Sequence, residues 1–493
     1  MAGLVIKALS HRGSAAGFDL ADMLALPLPL LDDVIEQLQD RRFVQVQATR
    51  GPTRGEYVFT LTSDGRKRAA EELELSRYVG PAPVPFEDFR RWVELQTVEG
   101  TRVSKPELQE ALDDVVLQDA MLELLGPAVN SGRSMFLHGE SGNGKTLLAK
   151  RLARVFGERY YVPFSVLVDG SVMIVYDPVH HGPLGSEDGA AERTVLERPG
   201  RGSRAPEGAH PQDMEPNGSG PTASPAVTGT RSAAAVETAE DASDQPGGAA
   251  ADVRQEILRT FAAHDRRFAA ASRPVVVTGG ELTLEQLDLQ WDSTGRMYQA
   301  PPQLKAAGGV LLVDDLGRQR VEIRDLLNRW GVPLEHRQDH LTLRSGRRIV
   351  VPFDCFVIFS TNLEPRSLAD DAFLRRIHYK IEVSDPDRAE YERIFRACCD
   401  EREIEFDEGA LDFLFDQYYG EDGIAPRRCH PRDVLDHIQD LAEYRGEPAR
   451  LARDLLERAC QSYFLSPGSG RGHGVQQAAA SAPDSNDRRR STP

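Results

Sequence analysis

The sequence predicts an α/β protein organised on a parallel sheet, and three segments carry the prediction. Residues 139–146 read Gly139, Glu140, Ser141, Gly142, Asn143, Gly144, Lys145 and Thr146, a complete match to the phosphate-binding loop pattern G-x-x-x-x-G-K-[ST]. Val310-Leu311-Leu312-Val313 is an apolar run that ends in two carboxylates, Asp314 and Asp315. Cys355-Phe356-Val357-Ile358-Phe359 is a second such run, followed by Ser360, Thr361 and the amide of Asn362. Runs that are apolar on both faces suit strands covered on both sides, as parallel strands are. Open α/β sheets bind ligands beyond the C-terminal ends of their strands, which is where these polar residues fall.

From the N-terminus, residues 1–75 form a first module. Apolar residues recur at helical spacing over Leu4 to Leu9, over Leu20 to Leu24, and at Leu31, Val34, Ile35 and Leu38. Phe43 to Gln47 and Tyr57 to Leu61 alternate as two strands of a hairpin, and Thr62 or Ser63 is placed to cap a last helix. Three helices, a two-stranded wing and a helix resemble a winged helix-turn-helix module. In such modules the third helix often enters the DNA major groove. Here that helix carries Asp32, Asp33, Glu36 and Asp40, while Arg41, Arg42, Arg50, Arg54, Arg66, Lys67 and Arg68 lie at its end, in the wing and beyond. Acid where phosphates would lie favours docking to protein, and the basic wing leaves DNA as the second reading.

Residues 76–124 connect this module to the phosphate loop, with Pro81, Pro83 and Pro85 followed by helical patterns over Lys105 to Leu117 and Asp119 to Val129. Residues 125–384 carry the α/β core. Ser134 to His138 reads as a buried strand entering the loop and Leu147 to Phe156 as the helix leaving it, whose N-terminus favours an anion. The glycines let backbone N–H groups turn inward around phosphates, Lys145 reaches the β and γ phosphates, and Thr146 offers its hydroxyl to Mg²⁺. This spacing predicts a bound nucleoside triphosphate.

Phe164 to Val168 and Ser171 to Asp177 form a hairpin around Asp169-Gly170. Residues 181–252 then turn to Gly, Ala, Ser, Pro, Glu and Asp with few aromatic residues, which predicts a disordered insertion. Pro274 to Thr278 resumes the core as a strand. The run ending in Asp314 and Asp315 has the character of a Walker B strand, in which Asp314 holds Mg²⁺ through its water shell and Asp315 polarises the attacking water. Leu341 to Val351 reads as a hairpin whose turn presents Arg344, Arg347 and Arg348 to a polypeptide, DNA, a neighbouring subunit or solvent. Tyr379 to Val383 alternates as a further strand, residues 385–465 are helical throughout, and residues 466–493 read as a disordered tail.

Loop, Walker B strand and the Asn362 strand, in this order, resemble the AAA+ ATPase superfamily, over roughly Leu125 to Phe464 without the insertion. The resemblance implies a P-loop core with a parallel five-stranded sheet, a helical lid, and ATP and Mg²⁺ as ligands. It implies that Asn362 is the sensor residue orienting water beside Asp315. It also implies that Arg375, with Arg376 in reserve, is an arginine finger acting on a neighbour's nucleotide, and that Arg432 is the sensor of the lid. A finger implies a homo-oligomeric ring, such as a hexamer. Walker B strands of the superfamily mostly end Asp-Glu, so Asp315 is one methylene short; the Asp-Asp-Leu-Gly wording is similar to helicase-loader relatives. The branch stays open between a MoxR-like chaperone acting on protein and a DNA-associated ATPase, helicase-loader-like or regulatory, that uses the winged helix, with a slow nucleotide switch as a third reading.

Across 493 residues, 59 Lys and Arg face 77 Asp and Glu, a formal net charge of −18. That balance excludes broad attraction to nucleic acid or anionic membrane. Cys355, Cys398, Cys399, Cys429 and Cys460 show no C-x-x-C pairing, which argues against a zinc site or a disulfide framework and fits a reducing cytoplasm. Cys429-His430 stands without a second ligand pair and reads as packing or capping. No apolar run reaches membrane-spanning length, so the expectation is a cytoplasmic ATPase with no membrane insertion, acting on a protein client before DNA.

Overall fold

The computed structural model describes residues 1–157, 159–182, 265–368, 370–419 and 423–464. The insertion expected over 181–252, apart from His181 and Gly182, and the tail expected over 466–493 lie outside the described residues. Two compact units divide the chain, one of Met1–Gly139 with Lys145–Val383, the other of Glu140–Gly144 with Ser384–Pro493.

At the start of the first unit, helices Ala2–Arg12, Gly17–Leu24 and Leu28–Asp40 precede strands Val44–Thr49 and Tyr57–Leu61 and the helix Ser63–Leu75. Leu31, Val34, Ile35 and Leu38 form the buried stripe of the third helix, which turns Asp33, Glu36 and Asp40 outward. Thr62 caps the last helix by accepting the Gly65 N–H at 3.0 Å. A Cβ at Gly65 would lie 2.0 Å from the Phe43 carbonyl, so only glycine lets that helix start against the strand. One strand is additional to the expected hairpin. Ser14–Ala16 pairs antiparallel with Tyr57–Leu61, making the sheet three-stranded.

The connecting region is more ordered than its prolines suggest. Val84–Pro85 forms a short strand, and Phe86–Leu95 is a helix that buries Phe89, Trp92 and Val93. Trp92 Nε1 and Gln96 Nε2 both donate to the Tyr161 carbonyl, at 3.2 and 2.9 Å, while Gln96 Oε1 accepts the Tyr161 N–H at 2.7 Å. Helix Lys105–Ala111 is shorter than its pattern, and Asp119–Asn130 follows it.

The core sheet contains β1 (Met135–His138), β2 (Val275–Thr278), β3 (Val310–Val313), β4 (Phe356–Thr361) and β5 (Tyr379–Glu382). They are parallel, in the spatial order β2-β3-β4-β1-β5. This parallel order, with the phosphate loop following β1, is that of a P-loop α/β core. β1, β3 and β4 are apolar on both faces because both faces are covered, whereas the edge strand β5 alternates, with Lys380 and Glu382 exposed. Met135, Leu137, Leu312, Phe356 and Ile358 pack with Leu125, Val129, Leu148, Leu152 and Phe156. On the other face Phe136, Leu311, Val313, Val357 and Phe359 pack with Leu326, Leu327 and Trp330 of the helix Ile323–His336. Connections leaving β1 and β4 run to opposite sides, so the crevice at their C-terminal ends is the switch point where such sheets bind ligands.

A second five-stranded sheet has the order Gln290–Asp292, Met297–Gln299, Ser171–Ile174, Ser165–Val168 and Val84–Pro85. Its central hairpin turns at Asp169 and Gly170 with φ of 49° and 79°, the left-handed pair that the dipeptide favours. The arginine hairpin also forms, from Gln338–Thr342 and Arg348–Pro352, but its tip is not free. The Arg344 guanidinium lies 5.3 Å from the Trp291 ring centre, and the Arg344 backbone N–H donates to Tyr298 Oη at 2.9 Å. Arg347 pairs with Asp169 at 2.6 Å. Of the three tip arginines, Arg348 stays exposed without a salt bridge among the described residues.

In the second unit, helices Arg388–Glu401, Glu408–Gln417, His430–Arg445 and Arg453–Tyr463 close around Tyr391, Phe395, Leu414, Leu435, Ile438 and Leu456. Asp387 and Asp407 cap two of them, and Pro431 sits in the first turn of the third, as expected of a residue lacking an N–H. No helix among the described residues is long and apolar enough to cross a membrane.

Candidate active site

The phosphate loop leaves β1 through Gly139, whose φ is 133° and where a Cβ would lie 2.4 Å from the Val383 carbonyl. Gly142 and Gly144 follow with φ of 87° and 79°. The helix then begins at Lys145 itself, runs only to Arg151, and continues as a 3₁₀ segment Leu152–Phe156, so the expected single helix is two pieces. Lys145 is 6% exposed. Its Nζ donates to the Gly139 carbonyl at 2.9 Å and to Asn362 Oδ1 at 2.7 Å.

Asn362 uses its other end on Asp315, Nδ2 donating to Oδ1 at 3.4 Å. The Asp315 N–H donates to Asp314 Oδ1 at 3.1 Å, and Asp314 Oδ2 accepts from Thr146 Oγ1 at 2.8 Å. The sheet order thus joins residues that follow β1, β3 and β4 into one hydrogen-bonded chain, closed into a ring by the Lys145–Thr146 peptide bond. Its members are the predicted cation, sensor amide, two carboxylates and hydroxyl.

Asp315 has φ of 48°, the left-handed region. Asp and Asn tolerate that region better than other residues with a Cβ, because the short polar side chain bonds locally. This gives the Asp-Asp ending a physical reason: the turn demands a residue that accepts φ above zero. The turn is pinned on both sides, since Leu316 N–H donates to the Ser360 carbonyl at 2.8 Å and Thr361 Oγ1 to the Leu316 carbonyl at 2.9 Å.

Mg²⁺ takes oxygen ligands and keeps much of its water shell, so it needs one or two protein groups beside substrate phosphates. Thr146 Oγ1 and Asp314 Oδ2, 2.8 Å apart, are oxygen donors that could fill that role. Among the described residues no group of three or more His, Cys, Asp or Glu could hold a metal by itself.

Arg375 is not part of the ring. It follows the short helix Asp371–Leu374, is exposed, and lines a cleft of about 530 Å³ with His138, Glu364, Arg366 and Lys380. Lys380 Nζ donates to the carbonyls of Leu374 and Ile377, bracing the turn that carries it. Arg376 instead reaches Glu335 at 3.4 Å, whereas Arg375 has no salt bridge among the described residues.

Within the second unit, the loop residues meet a different arginine from the one predicted. Arg427 pairs with Glu140 at 3.5 Å and with Asp385, and Asp385 accepts from Asn143 Nδ2 at 2.7 Å. Cys429 N–H donates to the Gly142 carbonyl at 2.9 Å. Arg432 is exposed and pairs with Asp433 at 3.0 Å. Nothing in the sequence marked Arg427, which sits in a loop among other arginines.

His430 fixes that loop. Its Nδ1 accepts the Arg427 N–H at 3.2 Å, so the proton belongs on Nε2, and Tyr419 Oη donates to the same Nδ1 at 3.0 Å. Burial drops its pKa from an ordinary 6.5 to about 4, and burial does the same to His181. Both are neutral in the fold while the unfolded chain protonates near 6.5, so their contribution is complete above that pH and is lost as the pH falls toward about 4. The melting temperature is therefore expected to fall between pH 7 and pH 5. His430→Gln, which takes up no proton, flattens the slope, and an unchanged slope would remove His430 from the account.

A family model described as a domain of unknown function (DUF8689) matches residues 387–462, the helical part of the second unit. No curated protein matches the chain. Among solved structures, NtrX from Brucella abortus in complex with ADP is similar at 12% identity with a TM-score of 0.34, covering 71% of this chain and 56% of that one. A Thermotoga maritima RuvB mutant is similar at 14% identity with a TM-score of 0.26, covering 38% of this chain and 53% of that one. The chain thus spans little more than half the length of either. The likeness is distant; the strand order of the sheet is what identifies the fold.

Proposed function

We propose that the chain binds ATP with Mg²⁺ at the Gly139–Thr146 loop and hydrolyses it, as an AAA+ ATPase that acts on a protein client. The observation that supports this most is the ring through Lys145, Asn362, Asp315, Asp314 and Thr146. In it Lys145 rests on a backbone carbonyl and an amide oxygen, partners it would exchange for phosphate oxygens, because charge-assisted bonds are the stronger ones. That exchange would free Asn362 Oδ1 to orient water beside the Asp315 carboxylate. Thr146 and Asp314 would hold Mg²⁺, which when bound neutralises phosphate charge.

The choice of a protein client draws on the N-terminal module, which we read as a winged helix. Three of the seven basic residues at the helix end and wing have acidic neighbours, Arg54 with Glu36 at 3.6 Å, Lys67 with Asp64 at 3.1 Å and Arg68 with Glu71 at 2.8 Å, while Arg41, Arg42 and Arg50 are exposed without a salt bridge among the described residues. Arg54 also donates to Gln39 Oε1 at 3.3 Å, which draws the wing onto the acidic helix. Charges so engaged offer little to a DNA backbone. Turnover of ATP is expected with Mg²⁺ present, to stop when Mg²⁺ is chelated, and to rise with an unfolded polypeptide. Stimulation by duplex DNA alone would replace the client with DNA, and a chain that leaves ATP intact under all three conditions overturns the whole reading.

A further inference from the structure

The left-handed turn after β3 is closed by one uncharged side chain, that of Gln319. Its Oε1 accepts the Gly317 N–H at 2.8 Å, and its Nε2 donates to the carbonyls of Asp314 at 3.0 Å and Asp315 at 3.3 Å. A third carbonyl, that of Gly279 after β2, lies at 3.5 Å. The partners fix the amide orientation, since an N–H needs the oxygen and carbonyls need the NH₂ group. A glutamate here would set a carboxylate oxygen against carbonyl oxygens, and a leucine would leave every one of these bonds unmade.

The bonds fall where the backbone is least relaxed. Asp315 has φ of 48° and Gly317 φ of 110°, so the segment between them departs from ordinary geometry at two of three residues. Asp314 is tied by its N–H to the Thr278 carbonyl at 2.8 Å, and Leu316 is tied to β4. Asp315 lies between these two anchors. Its carbonyl, held by Gln319 and by the Arg318 N–H at 3.0 Å, fixes the peptide plane on which the direction of its side chain depends.

We propose that Gln319 is a positioning residue: its amide holds the Asp314–Gly317 turn in the conformation that aims the Asp315 carboxylate at Asn362, and so sets the rate of hydrolysis without touching nucleotide. The inference rests on the reading of Asp315 as the carboxylate that polarises water. Without the amide, Asp315 can relax toward negative φ and its carboxylate swings away from Asn362. Leu316, 1% exposed, still anchors the turn in the core, so the effect belongs to alignment and not to folding. A misplacement of an ångström in a reacting group costs about 10²-fold in rate.

The test is a double-mutant cycle on the full chain, with Gln319→Leu and Gln319→Glu each made alone and in an Asp315→Asn background. ATP turnover, ATP binding and melting temperature are measured for each. In the otherwise unchanged chain, both substitutions are expected to lower kcat by about 10²-fold while ATP affinity holds within about threefold. In the Asp315→Asn background they should change kcat by less than about twofold, because two residues acting as one unit are not additive. An unchanged kcat for the folded Gln319→Glu chain overturns the proposal. So does a loss of the same size in both backgrounds, which marks a general structural role. If Asp315→Asn alone turns over at the rate of the unaltered chain, the reading of Asp315 fails first and the role of Gln319 falls with it.

Discussion

Chains carrying Lys145→Ala or Arg375→Ala are each expected to be nearly inert alone, and mixtures of the two are expected to regain turnover. The loss at Lys145 follows from its place in the ring, where Nζ holds Asn362 Oδ1 at 2.7 Å and, under the proposed function, would turn to phosphate. Arg375 lies outside that ring, exposed and without a salt bridge among the described residues, on a turn braced by Lys380. A guanidinium presented in this way can serve a neighbour's site, and an arginine finger is worth about 10³–10⁵ in kcat. Random assembly of equal amounts of the two chains into a closed ring gives intact Lys145 facing intact Arg375 at about a quarter of the interfaces. Recovery toward that fraction, with an oligomer seen by light scattering, supports sites shared between chains. No recovery in a mixed oligomer removes Arg375 from the mechanism. Arg376→Ala is the internal contrast: its half-exposed pair with Glu335 at 3.4 Å is worth less than about 1 kcal/mol, and turnover should barely change.

Why the ring was legible and Arg427 was not is a matter of what each residue obeys. The strands β1, β3 and β4 are buried on both faces, so each had to be a short apolar run, and the loop, Asp314, Asp315 and Asn362 mark their ends. What no local pattern states is that Lys145 meets Asn362, 217 positions away; the sheet order does that. Ser14–Ala16 and Val84–Pro85 are three and two residues long, too short for an alternation to show. Phe86–Leu95 was hidden behind prolines that read as a linker, although Phe89, Trp92 and Val93 keep helical spacing. Arg344 and Arg347 looked like a free tip because their partners, Trp291 in a strand and Asp169 in a turn, belong to the second sheet. Gln319 carries no motif at all. Its role depends on four backbone groups converging on one amide, a tertiary fact.

Asp315→Asn is expected to lower kcat by about 10²–10⁴-fold, the range for removing a positioned acid–base group, while leaving ATP and Mg²⁺ affinity unchanged. The substitution is a clean one. Asn tolerates the left-handed backbone as Asp does, so φ of 48° costs nothing new, and the Thr146 to Asp314 bond at 2.8 Å is untouched. Asp315→Glu is the more informative partner, because it installs the acid that AAA+ strands mostly carry at this point. If reach alone limited the chain to a slow nucleotide switch, the longer side chain would speed turnover. The geometry argues the reverse. Glu lacks the local bonding that makes the left-handed region tolerable, a conformation costing about 1–2 kcal/mol, and its extra methylene carries the carboxylate past Asn362 Nδ2, which Asp315 already meets at 3.4 Å. Turnover by Asp315→Glu is therefore expected to fall below that of the unaltered chain, by tenfold or so on the scale of such misplacements. A faster Asp315→Glu chain would mean that the short carboxylate is a brake, and that the turn was selected to slow hydrolysis.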